Sequence, residues 1–186
     1  MQLTPKYRFR QFKNYLSILK NTYTIAQVTP FVGNKRKEIT TNPILYFIDN
    51  GFRNQALHNL SLSLDMRQDI GLLIQNAVFQ ELFKFKVQHF YDFTIHFWRT
   101  QNGAEVDFIL YKNNQLIIPI EVRFRTLKDP IVNRAFRSFI DAYDPPYGFL
   151  ITKDFNKKIM IKNCEVTFIS FSRWLIFLER LKNLLN

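Results

Sequence analysis

The stretch Phe97–Arg125, FWRTQNGAEVDFILYKNNQLIIPIEVRFR, decides how this chain is read. Two apolar runs, EVDFIL and LIIPIEV, are joined by the polar Lys112-Asn113-Asn114, where Asn tolerates a positive φ. That is the pattern of two paired strands. Strand side chains alternate faces with period two, so Glu105 and Asp107 share one face, opposite Val106 and Phe108. Likewise Glu121 and Arg123 share a face, opposite Val122 and Phe124. A carboxylate inside an apolar run is costly to bury alone, so it is normally paired with a cation, bound to a metal or left at an open edge.

An Asp on one strand followed by Glu-x-Lys on the next resembles the PD-(D/E)xK, restriction-endonuclease-like nucleases. Asp107 and Glu121 match, and Arg123 stands in the Lys position. The resemblance implies that the two carboxylates share Mg2+, which acidifies a water and polarises the phosphate. Sharing an ion requires both on one side of the sheet, and carboxylates on opposite faces would argue against the nuclease reading. The basic residue, third in the motif, offsets charge in the transition state.

Four segments carry a wider resemblance: LYFIDNGFRNQAL (45–57), GLLIQNAVFQEL (71–82), WRTQNGAEVDFIL (98–110) and IPIEVRF (118–124). In this order they resemble a domain of unknown function found C-terminal to AAA-type ATPases in bacteria and archaea. The resemblance implies an α-β-β-β-α-β nuclease-like core at 58–186, a partial winged-helix unit at 1–57 and an ATPase partner. No GxxxxGK phosphate loop occurs in the chain, which makes it read as a piece of a longer ATPase protein.

Two departures from the nuclease pattern weaken the chemistry. Nucleases of this fold often carry an acid on the first core helix, where this chain has Gln75. Arg123 stays protonated and cannot serve as a base, though its planar fork suits a phosphate. The bland alternative is structural: Asp107 paired with Arg99 or Arg123, and Glu121 with Arg125.

The chain has 186 residues, enough for one ordinary domain or two small ones, and its 20 Phe can fill a core. It has no apolar run near 18 residues, and its charged N-terminus lacks the apolar centre of a signal peptide. The single Cys164 excludes an internal disulfide and suits a reducing cytoplasm. The three His are scattered without metal-ligand spacing. Of the net charge of +11, residues 1–40 hold +7, from eight Lys or Arg against Glu38. Lys6, Arg8, Arg10, Lys13, Lys35, Arg36 and Lys37 are therefore candidate phosphate contacts to DNA, set against a merely solubilising basic face.

Periodicity predicts a helix over 7–20, strands over 22–31 and 38–49, and a short helix after Asp49. An amphipathic helix runs from Asp69 to about Lys86, with Ile74, Ala77, Val78, Leu82 and Phe85 on its apolar face. Three strands follow, in 89–100, 104–112 and 115–124. A helix over 129–143 has Asp129 as its cap and Pro130 in its first turn. Strands over 147–152 and 165–171 and a helix from Arg173 complete an α/β fold with a mixed sheet flanked by helices. Two functions of different class follow: a catalytically weakened, DNA-binding nuclease fold serving an ATPase, or an active Mg2+-dependent endonuclease of the junction-resolvase or restriction type.

Overall fold

A computed structural model describes residues 5–31, 42–60, 63–100, 102–112 and 116–185, without the side chains of 5–9, 65 and 175. Eight strands form one mixed sheet in the order β2-β1-β3-β4-β5-β6-β8-β7. They are β1 (Ile25–Pro30), β2 (Ile44–Phe47), β3 (Thr94–Arg99), β4 (Glu105–Lys112), β5 (Leu116–Arg123), β6 (Tyr147–Thr152), β7 (Lys157–Ile161) and β8 (Cys164–Ser170). The helices are α1 (Pro5–Asn21), α2 (Asn50–Ala56), α3 (Ile70–Gln88), α4 (Arg134–Tyr143) and α5 (Trp174–Leu185). None is long and apolar enough to cross a membrane.

The central strands are buried on both faces, and this explains their nearly unbroken apolar runs. Phe108, Leu110, Ile118, Ile120, Phe149 and Ile151 meet Val78, Phe79 and Leu82 of α3 and Phe177 and Leu181 of α5. On the opposite face Ile109, Leu150, Val166 and Phe168 meet Phe136, Phe139 and Ile140 of α4. At a typical 1.5–3 kcal/mol per fully buried large apolar side chain, these two layers are the main source of stability.

The β1–β2 hairpin is not detached from this sheet. Thr29 and Pro30 of β1 pair in parallel with His96 and Phe97 of β3, and Phe31 N donates to the Phe97 carbonyl. Val28 and Tyr46 are buried in the same core as Phe79 and Phe108. On α3, Asn76 clamps Phe47 through both of its amide ends, accepting from Phe47 N at 2.9 Å and donating to its carbonyl at 3.0 Å.

Several elements differ from the sequence expectation. An unforeseen strand, β7, forms an antiparallel hairpin with β8. Its KKIMI sequence opens with two exposed lysines, with only Ile159 and Ile161 partly covered, and it sits at the sheet edge, where charge blunts further pairing. The helix expected from Asp129 starts at Arg134, capped by Asn133, whose Oδ1 accepts from Phe136 N at 2.7 Å. Helix α3 is buried on a broader arc than periodicity suggested, with Leu73, Phe79, Asn76 and Gln80 also covered. The turn expected at Lys112-Asn113-Asn114 lies partly outside the described residues.

The alternation expected along β4 fails at one point, and that point is Asp107. Trp98 is opposite Val106 and His96 is opposite Ile109, so Phe97 alone faces both Asp107 and Phe108. This is a β-bulge: one strand holds an extra residue and its later side chains change face. Val106 therefore packs in the α4-side core, while Phe108 packs in the α3-side core.

Candidate functional site

The bulge delivers Asp107 to α3. Gln75 Nε2 donates to Asp107 Oδ1 at 2.9 Å and to the Tyr46 hydroxyl at 3.1 Å. The other carboxylate oxygen, Oδ2, accepts from Val122 N at 2.7 Å. The last register pair between β4 and β5 on this side is Phe108 with Ile120, so the Asp107 side chain takes the next backbone donor in place of a carbonyl. Burial pushes the Asp107 carboxyl up to about 7, with the charges of Glu121 and Glu105 adding to it; the Val122 hydrogen bond and Arg123 oppose the rise. Burial also raises the Tyr46 hydroxyl, reinforced by the Asp107 charge, so it stays protonated.

Glu121 occupies a different environment. Its Oε1 accepts from Arg123 Nε at 2.9 Å and from Asn133 Nδ2 at 2.7 Å. Its register partner Leu150 faces the α4-side core. Burial raises the Glu121 carboxyl above the ordinary range, partly offset by Arg123 and Asn133. Its second oxygen, Oε2, is buried and has no hydrogen-bond partner among the described residues. Asp107 is thus engaged from the α3 side and Glu121 from the α4 side of the same strand pair.

The sequence-predicted residues Asp107, Gln75, Glu121 and Arg123 all come to this end of β4 and β5. The pairing alternatives resolve as Arg99 with Glu105, at 2.5 Å, and Arg123 with Glu121. Asp107 is held by an amide and a backbone N–H, with no cation bonded to it among the described residues. A cavity of about 370 Å3 opens beside this group, lined by Tyr46, Gln75, Asn76, Arg53, Arg99 and Glu105. Among the described residues, no three His, Cys, Asp or Glu side chains gather as a metal-ligand set.

Two contributors escaped the sequence reading. Tyr46 was legible only as a hydroxyl inside the apolar ILYF run. Asn133 had a usable signal, a capping residue just before a helical apolar period. Of the basic candidates, Arg10 and Lys13 are exposed on α1. The side chains of Lys6 and Arg8, and all of Lys35, Arg36 and Lys37, lie outside the described set.

Comparison with known proteins adds the following. The chain is 24% identical over 127 residues to the uncharacterized proteins Rv2008c of Mycobacterium tuberculosis and Mb2031c of Mycobacterium bovis. The match covers 68% of this chain and 27% of each relative, so the chain spans about a quarter of their length. A solved assembly of Thermococcus gammatolerans McrB AAA+ hexamers with bound McrC gives a TM-score of 0.41 at 12% identity, over 62% of this chain and 33% of that one. A model for a second domain of unknown function, DUF8612, matches residues 2–63. Residues 70–171, more than half the chain and including Gln75, Asp107, Glu121 and Arg123, match the domain of unknown function DUF4143, and the chain belongs to that family.

Proposed function

We propose that this chain is a nucleic-acid-binding domain that works beside an ATPase; Asp107 and Glu121 face opposite sides of the sheet, the arrangement that argues against a metal-dependent nuclease site. The observation that carries this reading is the engagement of the two carboxylates. Gln75 and Val122 N occupy both oxygens of Asp107, while Arg123 and Asn133 hold Glu121 from the other side of the sheet. A shared Mg2+ needs convergent, available oxygens. Here the pair is instead engaged in internal hydrogen bonds. The ATPase association rests on family membership together with the sequence resemblance to domains that follow AAA-type ATPases.

One observation favours a second reading, an active Mg2+-dependent endonuclease. The buried Oε2 of Glu121 lacks a partner among the described residues, and a divalent cation would satisfy it. In that reading Glu121 would hold the cation, Asp107 would have to leave Gln75 and Val122 N to share it, Gln75 would orient a water and Arg123 would hold a phosphate.

The test is cleavage of plasmid and branched DNA in Mg2+ and Mn2+. The binding reading expects a silent wild-type protein. Metal-dependent cleavage by the wild type that Asp107→Ala abolishes would overturn it. The endonuclease reading further expects Gln75→Glu with Arg123→Lys to raise cleavage, since these changes supply an anionic ligand and a compact donor.

A further inference from the structure

Beyond the carboxylate site, a strongly basic concavity lies between the β7–β8 hairpin and α5. It is a cleft of about 310 Å3 whose lining includes Asn156, Lys157, Lys158, Arg173, Arg180 and Phe177. Glu165 offsets part of this charge, bonding Arg180 and lying 3.7 Å from Lys158. The side chains of Lys157 and Arg173 are exposed and make no hydrogen bond or ion pair with any described residue. The Arg180 guanidinium is fixed in place, lying 5.5 Å from the Phe149 ring centroid and donating to Thr167 Oγ1 at 3.0 Å. At the rim Ile176 is 62% exposed, an apolar surface beside the cations.

We propose that the cleft is a phosphate-backbone site for nucleic acid. This inference rests on the nucleic-acid-binding reading above and assigns the interaction to the β7–β8 edge. Backbone neutralisation by Lys and Arg releases counterions and gives affinity without sequence preference. The apolar rim at Ile176 suits the sugar face of the strand.

The test is fluorescence anisotropy with labelled duplex and single-stranded DNA across a salt series. It compares the wild type with the triple variant Lys157→Gln, Lys158→Gln, Arg173→Gln. A charge-matched control carries Lys20→Gln, Lys84→Gln and Lys162→Gln, three exposed lysines already engaged by Gln27, Glu81 and Asp141. All six positions are on the surface, and thermal melts verify folding. The cleft triple is expected to bind at least about tenfold more weakly, with a log–log salt slope shallower by about 0.9 for each phosphate that is no longer neutralised. The control is expected to stay near wild type. Equal weakening in both triples, or none in the cleft triple, would overturn the cleft assignment while leaving nucleic-acid binding intact. Displacement of DNA by inorganic phosphate at equal phosphate concentration would also overturn it, by making free phosphate the ligand. A wild type that binds no DNA even at low salt would instead defeat the underlying function reading.

Discussion

At the scale of single residues, Asp107 is the most constrained group in the candidate site. A buried carboxyl raised from 3.8 to about 7 keeps its proton in the folded state where the unfolded chain has already lost it. Folding then takes up a proton between roughly pH 4 and 7, so the contribution of this group to stability falls as pH rises through that window and levels off above it. Asp107→Asn removes the titration. It retains an acceptor for Val122 N, and its amide can pair with Gln75 after an amide flip. The expected outcome is that the stability of Asp107→Asn relative to wild type increases steadily from pH 5 to pH 7 in urea denaturation. A difference independent of pH would show that Asp107 is ionised throughout. Cys164, by contrast, is an inert packing residue: burial pushes its thiol up to about 12, so it offers no thiolate near neutrality.

Among the elements, α3 owes its position to its ends as much as to its apolar face. At its N-terminus Asp69 accepts from Arg53 at 2.8 Å and from Arg67 at 3.0 Å. Arg67 also reaches the Asn59 carbonyl and Asn54 Oδ1, both at 2.9 Å. Hydrogen bonds from Arg67 and Arg53 hold the Asp69 carboxyl down to about 2. Both arginines are buried, so removing their shared acceptor strands two charges. Asp69→Ala is expected to cost about 2–4 kcal/mol in urea denaturation, near the lower end for a broken buried pair because Asp69 itself is partly exposed. A loss below about 0.5 kcal/mol would mean that the latch is dispensable, as exposed surface pairs usually are. The same latch fixes the axial position of Gln75, less than two turns along the helix, and so sets its reach to Asp107.

For the molecule as a whole, the parallel junction of β1 with β3 makes the N-terminal hairpin part of the main sheet. Ile25, Val28 and Tyr46 are each at most 6% exposed, and Tyr46 stacks on Phe79 with ring centroids 4.6 Å apart. Separating the hairpin would uncover that core and open the edge of β3. Amides of β1 and β3 are therefore expected to exchange through one common opening with the same free energy in native-state hydrogen exchange. Earlier exchange throughout β1 and β2 would show an independent N-terminal unit that only leans on the sheet.

Much was determined by sequence alone, because it depends on local pattern. The apolar runs of β4, β5 and β6 and the helical period of α3 follow from periodicity, and the grouping of Asp107, Glu121, Arg123 and Gln75 from the resemblance to the nuclease motif. The strand β7 and the start of α4 were harder to see. A charged edge strand carries little apolar signal, and Asp129-Pro130 competes with Asn133 as a capping signal. What only the tertiary structure decided is which side of the sheet holds each carboxylate. Alternation placed Asp107 by counting residues along β4, and a single extra residue opposite Phe97 breaks that count. The bulge is set by how β3 and β4 pair, an interaction between distant segments that no local pattern encodes. It turns Asp107 toward Gln75 while Glu121 stays with Asn133.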